Sequence, residues 1–500
     1  MGDPWHSSDV GLTAFTGYLW PKGGMWRDGT TWARQLETYW EQHSFNSTSQ
    51  DLDGIYTALS LSTSGIGAVR TDPLSLAMLY RAESVDFVAY SSRAALAARA
   101  ATPNGEPDRD PWGVGWLPYL SYLAGPQTGY ANTVVLPIGA YVDIHPSWGS
   151  RVRTAGTPQW VADVAVDSSY NELCAVVHDD LARSVVSTSL LPTSERLADI
   201  TGGKDSRLVL ALMIEAGVTE RFTFRTLGAP SSADAIVSAD ISSRFSLKHQ
   251  LFTFGRMEEP AFDRRLRTHV FQTSGMYNAW NLKGALGLQW VPGVSGGAGE
   301  TLRSFFGAYP PVSSPQELHA TFASRCDRLK LLKADVRARF EDALRRELVE
   351  VFESGGCTNE DLLDAFYLRA RMRRWFGAGE ELGQGFRFFP LYSLLGVRAA
   401  FALGPIRRRA EILHFEVMRS ACDELARCPF ANATWPAGAL ADLPDADSYR
   451  RPAQKATPGA PVQWQASRLT ETEPSWRRTC STSPPTRSST SLTAAPWRNC

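Results

Sequence analysis

The spacing of apolar positions changes character about a third of the way along the chain. Between residues 11 and 155 the apolar residues come in short runs: Leu12–Leu19, Gly54–Leu61, Leu76–Tyr80, Val85–Tyr90 and Thr133–Ile144. These runs are rich in β-branched and aromatic side chains and are separated by Gly, Pro, Ser and Asp, the pattern of strands joined by turns. Only Ser92–Ala101, which is Ala-rich, reads as helix there. The pattern predicts an antiparallel sheet domain. From Ser168 to Thr188 the period lengthens to helical spacing, with Leu173, Val176, Val177, Leu181, Val185 and Val186 on one face. His178 on that helix reads as a surface or capping residue rather than a catalyst. Next comes a short apolar run (Leu197, Ala198, Ile200), a stop at Thr201-Gly202-Gly203, and a helical series (Leu208, Val209, Leu212, Met213, Ala216). Arg221–Thr226 and Gln250–Phe254 read as strands around a helix at Ala233–Phe245. This βαβα succession predicts a parallel sheet with its ligand at the carboxyl ends of the strands. The remainder reads as helical from Leu329 to Phe376 and again over Pro405–Ala426. Lys330–Phe352 is amphipathic and stops at Gly355-Gly356, and Thr358 with Asp361 opens the next helix in capping-box fashion.

Two glycine-containing stretches carry the candidate chemistry. In Thr201–Ser206 (TGGKDS) the glycines let the backbone turn tightly between strand and helix. The helix N-terminus that follows offers unpaired N–H groups and a positive dipole end to an anion. Thr201 and Ser206 add hydroxyls, and Asp205 can hold a divalent cation. The plainer alternative is a βα turn with an Asp or Ser cap. The spacing fits neither a Walker loop nor a dinucleotide fingerprint. In Val291–Phe305 (VPGVSGGAGETLRSF) a glycine-rich turn ends in Glu300 at a helix start, where a carboxylate can help hold a divalent cation with Asp205. A flexible glycine loop with a capping Glu is the alternative. Asp234, in the first turn of its helix, can offset the helix dipole. Arg369, Arg371, Arg373 and Arg374 either neutralise phosphate or form a solvated or carboxylate-paired face.

Charge and cysteine content narrow the classes. A formal net charge of −1 gives no general attraction to nucleic acid or anionic membrane. The most apolar late stretch, Phe388–Leu403, is broken by Pro390 and Arg398, so no membrane span is expected, and Met1–Val10 has no signal-peptide character. Seven cysteines without close regular spacing point to a reducing, cytoplasmic setting, and Cys422 with Cys428 lacks the further ligands a zinc site needs. Beyond about Pro461 the texture changes: Arg477–Cys500 is Ser, Thr, Pro and Arg without apolar period, the texture of disorder, while QWQASRL before it reads as a helix that should continue, as a frameshifted end would give.

The loop Thr201–Ser206 resembles the SGGxDS pyrophosphate-binding (PP) loop of the ATP pyrophosphatases, with Thr201 keeping the hydroxyl of the usual Ser. These enzymes cleave ATP between its α and β phosphates to make adenylates. Ser295–Leu302 is similar to the SGEGSDEL motif of asparagine synthetases, and Phe386–Ser393 to their vPFLD segment, with Ser393 in place of Asp. Upstream, Asp53–Ala58, Arg70–Leu74 with Leu79-Tyr80, and Leu136–Gly139 resemble core strands of a class II glutamine amidotransferase. The resemblance as a whole is to the asparagine synthetase family, with β-lactam synthetase and lasso-peptide cyclases as relatives. It implies an N-terminal, Ntn-hydrolase-like antiparallel sandwich over 1–155, an α/β PP-loop synthetase domain with a parallel sheet and a helical C-terminal part over 165–460, and an irregular tail over 461–500. It further implies a ligase that uses ATP and Mg²⁺. Nucleotide would be bound by Thr201, Gly202, Gly203, Lys204, Asp205, Ser206, Asp234, Ser295 and Gly296, metal by Asp205 and Glu300, with Lys455 as the late catalytic lysine. Two departures stand out. The first cysteine is Cys174, so no N-terminal thiol is available and no glutaminase step is expected. Gly297 stands where relatives carry the Glu or Tyr that handles the amine. The expected partners are a small-molecule or peptide carboxylate and an amine or ammonia, as in specialised metabolism, without nucleic acid or membrane; a homodimer is compatible with the chain. A catalytically impaired nucleotide-binding scaffold is the competing class, and tRNA thiolation is disfavoured by the neutral charge.

Overall fold

The computed structural model describes residues 5–21, 33–34, 36–37, 52–154, 169–191, 193–252, 262–277, 293–306, 314–323, 326–327, 330–353, 359–377 and 387–450. Lys455 and the residues beyond Pro461 lie outside them. The architecture is mixed α/β, with two antiparallel sheets in the front part and a parallel sheet with helices behind.

The larger antiparallel sheet is built from β1 (Trp5–Ser7), β2 (Gly11–Pro21), β3 (Leu52–Ser62), β4 (Gly67–Thr71), β8 (Ala140–His145) and β9 (Gly149–Thr154), in that order. A three-stranded sheet, ordered β6 (Val88–Ser91), β5 (Tyr80–Glu83), β7 (Thr133–Val135), lies beside α1 (Ala94–Ala101). Two expected strands are corrected. Thr133–Ile144 is cut at Pro137–Gly139, where Gly139 takes φ +68°, and its halves enter different sheets. Leu76–Leu79 is a buried connector: the Leu76 and Ala77 amides donate to the Asp72 carboxylate at 3.0 and 2.8 Å, so they cannot join a ladder. An unexpected helix, α2 (Pro111–Leu120), starts from Asp110, which accepts the Trp112 N–H at 2.9 Å.

Behind these sheets α3 (Tyr170–Ser189) opens with a capping box between Ser169 and Glu172. Five parallel strands follow in the order β12 (His249–Phe252), β11 (Thr223–Leu227), β10 (Leu197–Asp199), β13 (Gly293–Val294), β14 (Arg387–Phe388). The helices among them are α4 (Lys204–Glu215), α5 (Ala233–Arg244), α6 (Phe262–Thr273), α7 (Pro315–Ala323) and α8 (Ala334–Glu353). The short α9 (Leu362–Phe366) runs into a π-helical segment, Tyr367–Gly377. The single helix expected over Pro405–Ala426 is instead three pieces after α10 (Leu394–Ala402): α11 (Gly404–Arg409), α12 (Ile412–Ala421) and α13 (Asp423–Ala426). The first break falls at Glu411, whose φ is +56°. Among the described residues no helix is long and apolar enough to cross a membrane.

The two parts share one continuous apolar core, which runs from Tyr18 and Leu76 in front to Phe366 and Phe415 behind. Buried polar bonds tie them. Arg373 donates to the carbonyls of Ser75 (3.0 Å) and Leu136 (2.8 Å), and Arg374 to that of Gly125 (3.1 Å). The Tyr392 hydroxyl donates to Asp72 and accepts the Leu74 N–H, and Tyr18 accepts the Phe389 N–H at 3.1 Å. Burial pushes the Asp72 carboxyl up to about 6 against these hydrogen bonds and the Arg373 charge. Arg373 and Arg374 are therefore interior docking groups, neither a phosphate site nor a solvated face. Arg369 pairs with Glu350 at 2.6 Å, and Arg371 stacks on Phe305.

Candidate nucleotide site at the mouth of a helix

Strand β10 ends at Asp199, and the next residues form the turn into α4. This turn lies at the carboxyl edge of the parallel sheet, between β11 and β13. It is knitted by its own side chains. The Thr201 N–H donates to Ser206 Oγ at 3.1 Å, the two hydroxyls lie 2.9 Å apart, and the Gly203 N–H donates to Thr201 Oγ1 at 3.2 Å. Asp234, in the first turn of α5, accepts the Gly202 N–H at 2.8 Å, and the Gly202 carbonyl accepts the Ala431 N–H at 3.0 Å. Thr201, Ser206 and Asp234 thus brace the loop that they were expected to help bind a nucleotide. Arg207, wholly buried, donates to the carbonyls of Cys428 (2.7 Å) and Pro429 (2.8 Å) and so holds the Ala431 segment against the turn.

No side chain caps α4: its N-cap is Gly203, at φ −86° and ψ 172°, a conformation open to any residue. A Cβ built at Gly203 would meet only Thr201 Oγ1 within 4 Å, at 3.3 Å. The fold therefore does not require glycine here, and no side chain takes up the first-turn amides of α4. That geometry fits an anion at a helix N-terminus.

The second glycine stretch packs onto the first. Ser295 continues from β13 and donates its N–H to the Phe388 carbonyl at 3.0 Å. A Cβ at Gly296 would stand 2.3 Å from the Ser206 nitrogen, so the two turns meet backbone to backbone. A short 3₁₀ turn, Gly299–Leu302, then brings Glu300 and Arg303 to Asp205. Gly297 faces away from this junction: its Cβ would strike the rings of Phe376 and Phe389 at 2.6 and 2.7 Å. Aromatic packing fills the space beside Gly297.

Asp205 is the electrostatic centre. Its Oδ1 lies 2.7 Å from Nε2 of the wholly buried His414 on α12, and its Oδ2 lies 3.3 Å from Nη2 of Arg303. Burial alone would raise its pKa, but Arg303 and His414 outweigh it and hold the carboxyl well below the usual range. Glu300, also buried, accepts the Tyr367 hydroxyl at 3.0 Å, and burial together with the Asp205 charge pushes its carboxyl up. Lys204 ion-pairs with Glu411 and lies over Trp435, its ammonium 5.1 Å from the ring centroid. Burial lowers the Lys204 pKa, with Glu411 opposing.

These contacts bear on a metal. Among the described residues no group of three or more His, Cys, Asp or Glu side chains forms a metal cage. The Asp205 charge is close enough to raise the Glu300 pKa, and Mg²⁺ takes one or two carboxylates plus phosphate oxygens. The donor set fits Asp205 and Glu300 as ligands once Arg303 yields its hold on Asp205.

The expected residues Thr201–Ser206, Ser295, Gly296 and Glu300 thus gather in one place, with Asp234 behind the loop. Arg303, Glu411, His414 and Tyr367 escaped the sequence reading. Arg303 had a signal, three residues after Glu300. Glu411 and His414 had none, because a continuous helix would have turned them elsewhere. No protein-family model matches the chain, and no curated protein matches it in sequence.

Proposed function

We propose that the chain is an ATP-dependent, amide-forming ligase of the asparagine-synthetase type. The observation that carries this reading is the mouth of α4, where uncapped amides at the carboxyl edge of β10 stand beside a Gly203 that the backbone does not require. In the proposed reaction a substrate carboxylate oxygen attacks the α-phosphorus of ATP. The bond from that phosphorus to the bridging oxygen breaks, and pyrophosphate departs toward the α4 amides, with Lys204 and Arg303 near. Ammonia or an amine then attacks the acyl carbon, AMP leaves, and the nitrogen gives up a proton. Mg²⁺ held by Asp205, Glu300 and phosphate oxygens would supply neutralising charge. A second reading, a nucleotide-binding scaffold without turnover, is favoured by one observation: Phe376 and Phe389 fill the slot beside Gly297.

ATP–pyrophosphate exchange over a panel of carboxylates separates the two. Exchange that disappears in Asp205→Ala supports the ligase. Tight ATP binding without exchange supports the scaffold, and loss of both exchange and binding rejects both.

A further inference from the structure

Arg303 reaches two carboxylates at once. Its Nη2 lies 3.3 Å from Asp205 Oδ2 and its Nη1 3.8 Å from Glu411 Oε1, while its Nε is buried without a hydrogen-bond partner among the described residues. Glu411 also holds Lys204 and sits in a left-handed backbone conformation at the break between α11 and α12, one that a residue with a Cβ adopts only under constraint. The other Asp205 oxygen is taken by His414. The carboxylate best placed to hold a cation is therefore already neutralised by a tethered one.

We propose that Arg303 is a built-in counter-ion for Asp205 that makes divalent-cation binding conditional on a polyphosphate. This rests on the ligase reading of the loop. With no phosphate present, a divalent ion arriving at Asp205 would displace the guanidinium and leave it beside another positive charge. A polyphosphate changes that balance, because its oxygens give Arg303 and Lys204 new partners and Glu411 is already within reach of Arg303. Metal and pyrophosphate then bind together, and Asp205 avoids exposing an unpaired charge between turnovers.

The probe is Mn²⁺, measured by equilibrium dialysis with and without inorganic pyrophosphate, so that complex in free solution cancels across the membrane. The native chain is expected to take Mn²⁺ at least tenfold more tightly with pyrophosphate than without. Arg303→Gln should bind Mn²⁺ alone at least tenfold more tightly than the native chain, Arg303→Lys should behave as native, and Asp205→Asn should bind none. Native binding of Mn²⁺ alone as tight as with pyrophosphate overturns the proposal, a result that needs no variant to fold. So does an Arg303→Gln chain, folded by circular dichroism, that binds Mn²⁺ no more tightly than Arg303→Lys. If pyrophosphate exchange proceeds while Mn²⁺ affinity ignores Arg303, only the counter-ion role falls. If the native chain binds neither Mn²⁺ nor pyrophosphate, the ligase reading falls with it.

Discussion

Gly203→Ala separates what the fold needs from what a ligand needs. The backbone at 203 is extended, so an added methyl brings no strain, and its one close neighbour is a hydroxyl 3.3 Å away that has to give by tenths of an ångström. Alanine is a poorer N-cap than glycine by about 1 kcal/mol, while the loss of unfolded-state freedom returns about 0.4–1 kcal/mol. The net change in stability is therefore expected within about 1 kcal/mol of zero. Binding should respond quite differently. An anion seated at the α4 N-terminus would have to share that space with the added methyl, and each hydrogen bond it thereby lost would cost about 1.5–3 kcal/mol, roughly ten- to a hundredfold in affinity. Urea denaturation measures the first quantity and pyrophosphate titration calorimetry the second. An alanine variant that binds pyrophosphate like the native chain would refute the assignment of this helix mouth as the anion site. One that loses several kcal/mol of stability would refute the claim that its glycine serves the ligand.

Gly296→Ala should do the reverse. Its Cβ meets backbone at 2.3 Å, so the two turns must part, and a loss of about 1–3 kcal/mol in urea denaturation is expected; unchanged stability would contradict the packing. Gly297→Glu is expected to destabilise by a similar amount without gaining ligase activity, because Phe376 and Phe389 occupy the space; exchange or product formation faster than native would contradict this. Asp72 predicts a pH dependence. Its folded pKa of about 6 lies above its ordinary 3.8, so the fold favours the neutral form. That contribution is fully present below about pH 4 and is lost as pH rises through 6, a change of about 3 kcal/mol. The difference in urea midpoint between the native chain and Asp72→Asn should shift across this window, and a flat difference from pH 4 to 7 would reject the assignment.

The elements that sequence made legible are those whose own side chains dictate them. The amphipathic face of α3, and the strand–glycine–helix change of period at α4, need nothing from afar. Elements set by long-range contacts were hidden. Leu76–Leu79 is apolar enough for a strand, yet the Asp72 carboxylate claims its amides. The helix over Pro405–Ala426 has no glycine or proline at its break; what fixes Glu411 there is a distant pairing with Lys204 and Arg303. The same cause hid half of the candidate site. Asp205 and Glu300 stand in glycine-marked turns that sequence can flag, whereas His414 reaches Asp205, and Glu411 reaches Lys204 and Arg303, only because the helix breaks.

The front sheets bear on that site through packing alone. Tyr18 on β2 accepts the Phe389 N–H and packs its ring at a tilt against Phe388, so a front strand fixes the segment that follows β14. That segment carries the Phe389 ring over Gly297 and the Tyr392 hydroxyl down to Asp72. Arg373 and Arg374, on the π-helical segment that presents Phe376 to the same slot, find their acceptors on front-half carbonyls. Removing the front half would take both carbonyl acceptors from Arg373 and the Gly125 acceptor from Arg374, uncover the apolar core the two parts share, and release the Phe389 wall beside Gly297. A domain wired in this way is needed for the geometry of its neighbour whether or not it does chemistry of its own. The slot over Gly297 is therefore set by both parts together.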